Sequence, residues 1–307
     1  MRAWKGNTGG GNFGQRALIL LLNIFGLKPL YAVMAVVVPF YMLFARKGFL
    51  AIYHYFRQNF GFSKWKSVLK TYQNHFLFGQ VIFDRFAVFA GRKNLFDVEI
   101  IGNEYFTQLL NKEKGFIIVG SHVGNFEIAG YFLSQNKKKI NAIIYGGETQ
   151  TVQKNRAKLL NNNNINLIPV KSDMSHLFAA SVALQNGEIV SMPADRLFGS
   201  TKSVECDFLS GKADFPVGAF ALAANFEVEV LAIFAIKIST KKYKIYVQPC
   251  TSIAAGADLQ SVPDKNNTPI KNRRERVENL AKSYVKELEN IVKQYPLQWF
   301  NFYEFWK

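Results

Sequence analysis

A histidine and an acid lie close together where a predicted buried strand gives way to a helix. Residues 116–119 form a short apolar run between Gly115 and Gly120, which predicts a buried strand. His122 follows the strand, and Glu127 lies five residues later, in the first turns of the predicted helix. A carboxylate bonded to one ring nitrogen would fix the tautomer and stabilise the imidazolium that forms when the other nitrogen takes a proton. This pair could therefore act as a general base.

The place of His122 admits a second interpretation. A histidine that follows a strand is often a hydrogen-bonded structural residue with no part in chemistry. Two observations favour catalysis: glycines around His122 permit close approach of a ligand, and ligands bind beyond the carboxyl ends of strands in open α/β sheets. The other three histidines have no comparable context.

A second group of polar residues follows another predicted strand. Asp195 and Arg196 come after residues 188–192 and should emerge at the same sheet edge as His122. Farther on, Pro216 suits the first turn of a helix over residues 217–224, whose free N–H groups could meet a phosphate or an oxyanion. A structural ion pair is the common alternative for Asp195 and Arg196.

Short apolar runs alternate with helical patterns through the middle of the chain. Such a rhythm is typical of an α/β fold with a mostly parallel central sheet flanked by helices. The pattern predicts an antiparallel hairpin that joins residues 229–238 to 243–247 and a charged amphipathic helix over residues 273–294. The other predicted strands are 98–101, 116–119, 140–145, 165–170 and 188–192, and the other predicted helices are 104–110, 126–134, 151–161 and 174–185.

The N-terminal part of the chain is apolar from residue 17 to residue 44, with Arg46 and Lys47 directly after it. A full membrane span needs about 20 apolar residues. Lys28, Pro29 and Pro39 interrupt this stretch, so a kinked span and a helical hairpin in one leaflet are equally consistent with it, and buried core helices are the remaining alternative. Membrane attachment is the interpretation we favour.

Three regions follow from this pattern. We expect a flexible arm at residues 1–16, a membrane-anchoring segment at residues 17–47 and one α/β domain over residues 48–307. The arm contains a G-x-G-x-x-G match, but no strand precedes it, so it fails as a dinucleotide-binding motif. Residues 48–92 read as amphipathic helix.

The composition points to an anionic partner. The chain has 38 Lys and Arg against 22 Asp and Glu, a formal charge of +16, and 28 of its 307 residues are Phe. This balance suits an acidic protein, nucleic acid or membrane phosphates. No helix-turn-helix, zinc-finger or RNA-binding pattern is present, which argues against nucleic acid. Two isolated cysteines predict neither disulfides nor a zinc site, and we expect no metal and no cofactor.

Taken in order, the motifs resemble the late lipid A acyltransferases, the lauroyl and myristoyl transferases of lipopolysaccharide biosynthesis. The resemblance runs over roughly residues 15–307. It rests on His-x-x-x-x-Glu after an apolar strand, Asp195-Arg196, residues 208–211 through Pro216-x-Gly218, and residues 295–303. The wider glycerolipid acyltransferases share the histidine and an acid at this spacing.

The resemblance implies transfer of an acyl chain to a lipid hydroxyl at the cytoplasmic face of a bacterial inner membrane. His122 would deprotonate the acceptor, Glu127 would orient the ring, and the alkoxide would attack the thioester of an acyl donor. We expect this donor to be acyl carrier protein, with coenzyme A as the alternative. A covalent acyl-enzyme is not required, since the chain has no Gly-x-Ser-x-Gly elbow.

The remaining site residues follow from the same resemblance. Gly124, Asn125 or Arg196 would stabilise the tetrahedral oxyanion. Lys171 and Arg156 are candidates for the phosphates of a glycolipid acceptor, and Asp195 belongs to the same substrate-binding group. The alternatives are another acceptor, such as a lysophospholipid, an aminolipid or a polyene pigment headgroup, and a non-catalytic basic protein that binds membranes.

Overall fold

The computed structural model describes residues 20–22, 24–133, 137–144, 164–171, 173–197, 202–251 and 273–306. The predicted arm, the predicted helix at 151–161 and Arg156 lie outside these ranges. The helices are α1 (Leu27–Phe44), α2 (Arg46–His54), α3 (Lys64–Phe89), α4 (Asn103–Leu110), α5 (Phe126–Leu133), α6 (Ser175–Gln185), α7 (Gly218–Phe226) and α8 (Arg273–Gln294). The strands are β1 (Asp97–Ile101), β2 (Phe116–Gly120), β3 (Ile140–Ile144), β4 (Ile165–Pro169), β5 (Ile189–Pro193), β6 (Ser203–Phe208), β7 (Gly211–Pro216), β8 (Val230–Lys237) and β9 (Lys242–Cys250). A π-helical turn, Tyr55–Asn59, follows α2, and 3₁₀ turns cover Lys93–Leu95 and Pro296–Gln298.

Seven of these strands form one sheet in the order β1-β9-β8-β2-β5-β3-β4. Neighbours pair in parallel throughout this sheet except at the β8–β9 hairpin. β6 and β7 form a separate antiparallel pair. The predicted fold class, a mostly parallel sheet flanked by helices, is therefore confirmed.

The sheet is covered on both faces, which is why its central strands are continuously apolar. Along β8, Ala232 and Phe234 point into a core shared with α6, α7 and α8, whereas Ile233 and Ala235 point into a core shared with α1, α3, α4 and α5. This alternation follows from the two-residue period of a strand. The central strands consequently hold their carboxyl ends rigidly at one edge.

Within the described ranges, the predicted elements are found close to their predicted ends, with one exception. The hairpin of β6 and β7 was not predicted: Pro216 ends β7, and α7 begins at Gly218, so the predicted place of Pro216 inside the helix is wrong. The hairpin turns at Leu209, which has a positive φ of 55°. Tertiary contacts hold this turn, since Glu289 accepts the Leu209 amide at 3.0 Å and Asn59 accepts the Ser210 hydroxyl at 2.6 Å.

α1 is continuous through Pro39, although proline cannot donate to the carbonyl four residues earlier. That carbonyl belongs to Ala35, and the Tyr72 hydroxyl of α3 donates to it at 3.1 Å. A side chain from the neighbouring helix thus replaces the hydrogen bond that Pro39 removes. Among the described residues, α1 is the helix that is long and apolar enough to cross a membrane, with a mean hydropathy of 1.8.

A buried polar network joins the N-terminal helices to the sheet. Asp84 of α3 accepts hydrogen bonds from Lys237 of β8, Tyr31 of α1 and Tyr243 of β9. Burial raises the pKa of Asp84 and lowers the pKa of Lys237, and their mutual attraction offsets only part of this cost. The network therefore fixes how α1 and α3 sit on the sheet.

The loop after β2 is held by backbone on both sides. The Gly124 amide donates to the Gln298 carbonyl at 2.8 Å, and the Asn125 amide donates to the Ala235 carbonyl at 2.7 Å. The His122 carbonyl accepts from the Phe300 amide at 2.9 Å. Gly124 has a φ of 63°, and a Cβ there would collide with the Ala235 carbonyl oxygen, so only glycine fits this position without strain.

Replacing the buried carboxylate should destabilise the protein strongly. We expect Asp84→Asn to lower the free energy of unfolding by about 3–5 kcal/mol, because Lys237 would remain buried without a counter-charge. Urea denaturation measures the change. Glu99→Gln is the matched control: Glu99 pairs with Lys244 at 3.4 Å but is exposed, so we expect a loss below about 1 kcal/mol. Equal losses in the two variants would contradict the assignment.

The tight contact at Gly124 gives a second prediction. We expect Gly124→Ala to cost about 2 kcal/mol or more, from the positive φ and the collision with β8. Gly120→Ala is its control, because a Cβ at Gly120 meets nothing within 4 Å. Thermal unfolding of both variants checks this. A Gly124→Ala protein as stable as Gly120→Ala would show that the loop is not held as described.

Candidate active site

Strand register brings His122 and Asp195 together. β2 and β5 pair in parallel with Gly120 opposite Pro193. His122 lies two residues beyond Gly120, and Asp195 lies two residues beyond Pro193. Equal offsets from a parallel register place the two side chains at the same sheet edge, next to each other.

Asp195 contacts both the ring and the backbone of His122. Its Oδ1 lies 2.9 Å from Nδ1 of His122, and its Oδ2 accepts the His122 backbone N–H at 2.7 Å. The Asp195 side chain is only 1% exposed, whereas that of His122 is 21% exposed. An ionised Asp195 requires a proton on Nδ1, so Nε2 carries the lone pair. The ring is therefore oriented as a base that remains partly open to a substrate.

Burial of the ring keeps His122 neutral, and the charges around the pair keep Asp195 ionised. Burial lowers the pKa of His122 below 6.5; Asp195 opposes this shift and the charge of Arg196 adds to it. Burial raises the pKa of Asp195, but the charge and hydrogen bonds of His122 and the charge of Arg196 outweigh it and lower that pKa. Neutral His122 beside ionised Asp195 is the protonation state that a general base needs at neutral pH.

Glu127 forms an ion pair with Arg85 of α3. Its Oε1 lies 2.7 Å from Nη1 of Arg85, and both side chains are mostly buried. From the sequence we predicted that Glu127 orients the ring. In the structure, the carboxylate that contacts Nδ1 of His122 belongs to Asp195. The Glu127–Arg85 pair joins α5 to α3 beside the ring, and the Phe126 ring contacts His122 edge-on with centroids 5.8 Å apart.

The backbone amides of Gly124 and Asn125 are already engaged, by Gln298 and Ala235. The Asn125 side chain is buried and accepts from the Ile128 amide at 3.4 Å, as a residue that caps a helix N-terminus does. The expectation that these two residues supply oxyanion donors is therefore corrected: both hold the loop in place.

Arg196 lies beside the pair and is held by residues 295–303, which we call the C-terminal segment. Its Nη2 donates to the Phe300 carbonyl at 2.8 Å, and its guanidinium lies 5.5 Å from the Tyr303 ring centroid. The Nε atom is buried without a hydrogen-bond partner among the described residues. Arg196 thus places a positive charge near His122.

Of the other two predicted binding residues, Lys171 is the one that lies within the described ranges. Lys171 follows β4, at the sheet edge farthest from β1, and its backbone amide contacts His176 at 3.4 Å. In the described part of the chain, no group of three His, Cys, Asp or Glu side chains is close enough to hold a metal ion. A groove of about 370 Å³ runs beside α6, lined by residues that include Phe178 and Val182 but not His122 or Asp195.

The C-terminal segment is the functional element whose role sequence reasoning missed. Trp299 forms an isolated β-bridge with Val123 of the loop. Gln298 and Phe300 form hydrogen bonds with the loop backbone at Gly124 and His122. Asn74 of α3 donates to the carbonyls of Leu297 and Trp299, each at 3.0 Å. The run of aromatic residues at 295–303 was a visible signal, but its partners were not.

Three comparisons with known proteins were made. A search of curated proteins found no significant match. Among solved structures, the chain is similar to the 1-acyl-sn-glycerophosphate (LPA) acyltransferase PlsC from Thermotoga maritima, with 16% identity and a TM-score of 0.36. That match covers 84% of this chain and 97% of the other. At this distance we build no argument on it.

The family comparison is more specific. Residues 70–307 match the model for bacterial lipid A biosynthesis acyltransferases. The match includes β2, the loop with His122, Asp195 and the C-terminal segment, which together form the site described above. The chain belongs to the bacterial lipid A biosynthesis acyltransferase family and is an acyltransferase.

Proposed function

We propose that this acyltransferase works at a membrane and moves a fatty acyl chain from an acyl thioester to a hydroxyl of a lipid A precursor. His122 is the general base, and the transfer is direct, without an acyl-enzyme. The observation that carries this proposal is the His122–Asp195 contact of 2.9 Å, with a buried acid and a ring that is 21% exposed.

The proton path follows from the ring's orientation. Nε2 of His122 takes the acceptor's hydroxyl proton while the alkoxide oxygen attacks the thioester carbonyl carbon. The C–O bond forms and a tetrahedral oxyanion develops; its collapse breaks the C–S bond. The leaving thiolate takes the proton back from the imidazolium, which Asp195 stabilises throughout. Each proton and electron pair is accounted for without a cofactor.

Arg196 is the group we assign to the oxyanion. The backbone amides of Gly124 and Asn125 already donate to carbonyls within the fold. Arg196, in contrast, is positioned by Phe300 and has a buried Nε without a partner among the described residues. A preformed positive charge aimed at developing negative charge is commonly the largest single contribution to such catalysis.

Glu127 is the second acidic residue in this proposal, after Asp195. Its ion pair with Arg85 joins α5 to α3 and positions the helix that follows the His122 loop. Lys171 and Arg156 remain the proposed contacts for acceptor phosphates.

The charge of the chain supports the proposed partners. A formal charge of +16 favours acyl carrier protein, which is acidic, as donor and a phosphorylated glycolipid as acceptor. We place the enzyme at the bacterial inner membrane, with the catalytic domain over residues 48–307 on the cytoplasmic face and residues 17–47 as the attachment.

A transfer assay tests this function. The purified enzyme is incubated with labelled acyl carrier protein or acyl coenzyme A and a panel of acceptors: a lipid A precursor, a lysophospholipid and an aminolipid. We expect label on the lipid A precursor from acyl carrier protein. Transfer to another acceptor alone would reject lipid A as substrate, and label that stays on the protein after denaturation would reject direct transfer.

Removal of the base and removal of its acidic partner should each lower the rate. We expect His122→Ala to lower turnover by about 10²–10⁴-fold and Asp195→Asn by a similar factor, because the ring loses its base or its fixed tautomer. Circular dichroism verifies that each variant is folded. Wild-type turnover in Asp195→Asn would show that Asp195 does not orient the base.

The pH dependence distinguishes Asp195 from Glu127. Because a base acts only when neutral, and the pKa of His122 is lowered, we expect kcat/KM to be lost only as the pH falls below 6.5. Arg196→Gln should move the His122 titration to higher pH and Asp195→Asn to lower pH, whereas Glu127→Gln should lower the rate and leave the titration unmoved. NMR of the His122 ring measures this independently of activity. A shift on Glu127→Gln as large as that on Asp195→Asn would contradict the assignment.

A further inference from the structure

One face of α1 packs against the rest of the protein, and the opposite face is exposed. Tyr31 and Val38 are buried, and Met34 lies against Gly79 of α3. The outward face is apolar and repeats every three or four residues along the helix. Its exposed members are Val33, Val36, Val37, Phe40, Leu43 and Phe44.

α1 and α3 run antiparallel along each other. Tyr31 of α1 meets Asp84 of α3, Ala35 meets Tyr72, and the Tyr41 ring lies 6.2 Å from the ring of His75. As numbers rise along α1, their partners on α3 generally fall. The contact therefore extends over much of the length of α1.

α3 cannot enter hydrocarbon with α1. Its polar side chains Lys70, Gln73 and Gln80 are partly exposed, and Asn74 donates to the Trp299 carbonyl beside the site. An 18-residue helix is about 27 Å long, roughly the thickness of the hydrocarbon core, so an upright crossing would need all of α1. The part that packs on α3 would then take polar groups of α3 into lipid.

Exposed basic and aromatic residues lie just after α1 and at the start of α3. Because the helices are antiparallel, the C-terminal end of α1 lies toward the start of α3. There Trp65 is 85% exposed, and Lys64 and Lys66 are exposed beside it. Arg46 and Lys47, also exposed, follow α1 directly. Tryptophan at headgroup depth and lysine near anionic lipids are the usual composition of a membrane interface.

We propose that α1 lies in the plane of a negatively charged bilayer and does not cross it. Its outward face is immersed in one leaflet, and Trp65, Lys64 and Lys66 meet the headgroups. This inference rests on the membrane-associated function proposed above and adds the surface and the orientation.

The surface adjoins the active site through the C-terminal segment. Phe300 bonds the His122 carbonyl, and Phe302 packs against Gly48 and lies 4.9 Å from the ring of His75. An acceptor held in the same leaflet would thus be near the catalytic base.

Depth measurements test the orientation. Val33→Cys and Phe44→Cys are labelled separately with an environment-sensitive fluorophore and bound to vesicles of phosphatidylethanolamine and phosphatidylglycerol. Cys206 and Cys250 are buried, which keeps background labelling low. Quenching by lipids spin-labelled at different depths should place both positions at the same shallow depth. A depth difference approaching the roughly 16 Å between them along the helix would overturn the proposal.

Binding measurements test Trp65, Lys64 and Lys66, which we call the rim of this surface. We expect Trp65→Ala, and Lys64→Glu with Lys66→Glu, to weaken vesicle binding by roughly tenfold or more, because apolar and electrostatic contacts are lost. Phe178→Ala, a change of an aromatic residue that is 75% exposed on the other face of the sheet, is the control. Unchanged binding by the rim variants, or an equal loss in the control, would reject the surface. Transfer to detergent-dispersed acceptor should remain normal in the rim variants, which separates failure of this surface from failure of the proposed chemistry.

Discussion

The loop after β2 is clamped between two pieces of backbone, and the site depends on this clamp. β8 holds it from one side through Ala235, and the C-terminal segment holds it from the other through Gln298 and Phe300. The Gln298 side chain also bonds the backbone N–H and C=O of Lys237, at 2.9 and 2.8 Å, which ties the two pieces to each other. His122 is consequently fixed before any substrate arrives, so little conformational freedom must be lost in the reaction.

Much of this arrangement could be predicted because it depends on local patterns. The apolar runs of β2 and β5 are short, bounded by turn residues and followed by polar side chains, and parallel pairing alone brings His122 and Asp195 to one edge. The helix Arg273–Gln294 was predicted to the residue, since its amphipathic period is sustained over six turns. Family motifs then pointed to acyl transfer.

The rest depends on contacts between distant parts of the chain. The spacing of Glu127 from His122 suggested a dyad, but which acid reaches Nδ1 is decided by the β2–β5 register and by Arg85, far away in sequence. The β6–β7 turn places Leu209 in a conformation that leucine rarely adopts, and no local pattern indicates it. Likewise, no property of Gly124 and Asn125 in the sequence shows that their amides are already bonded.

The buried network around Asp84 also has a consequence for synthesis. The Tyr31 hydroxyl accepts a hydrogen bond from Lys237, which lies 206 residues later in the chain. At the usual rates of translation, roughly 10–40 s separate the emergence of these two residues from the ribosome. During that interval α1 has an apolar surface and an unfinished docking site, so the nascent chain can meet lipid before the catalytic domain is folded. For the membrane attachment proposed above, the order in which the partners of Tyr31 are made favours attachment first and closure of the domain second.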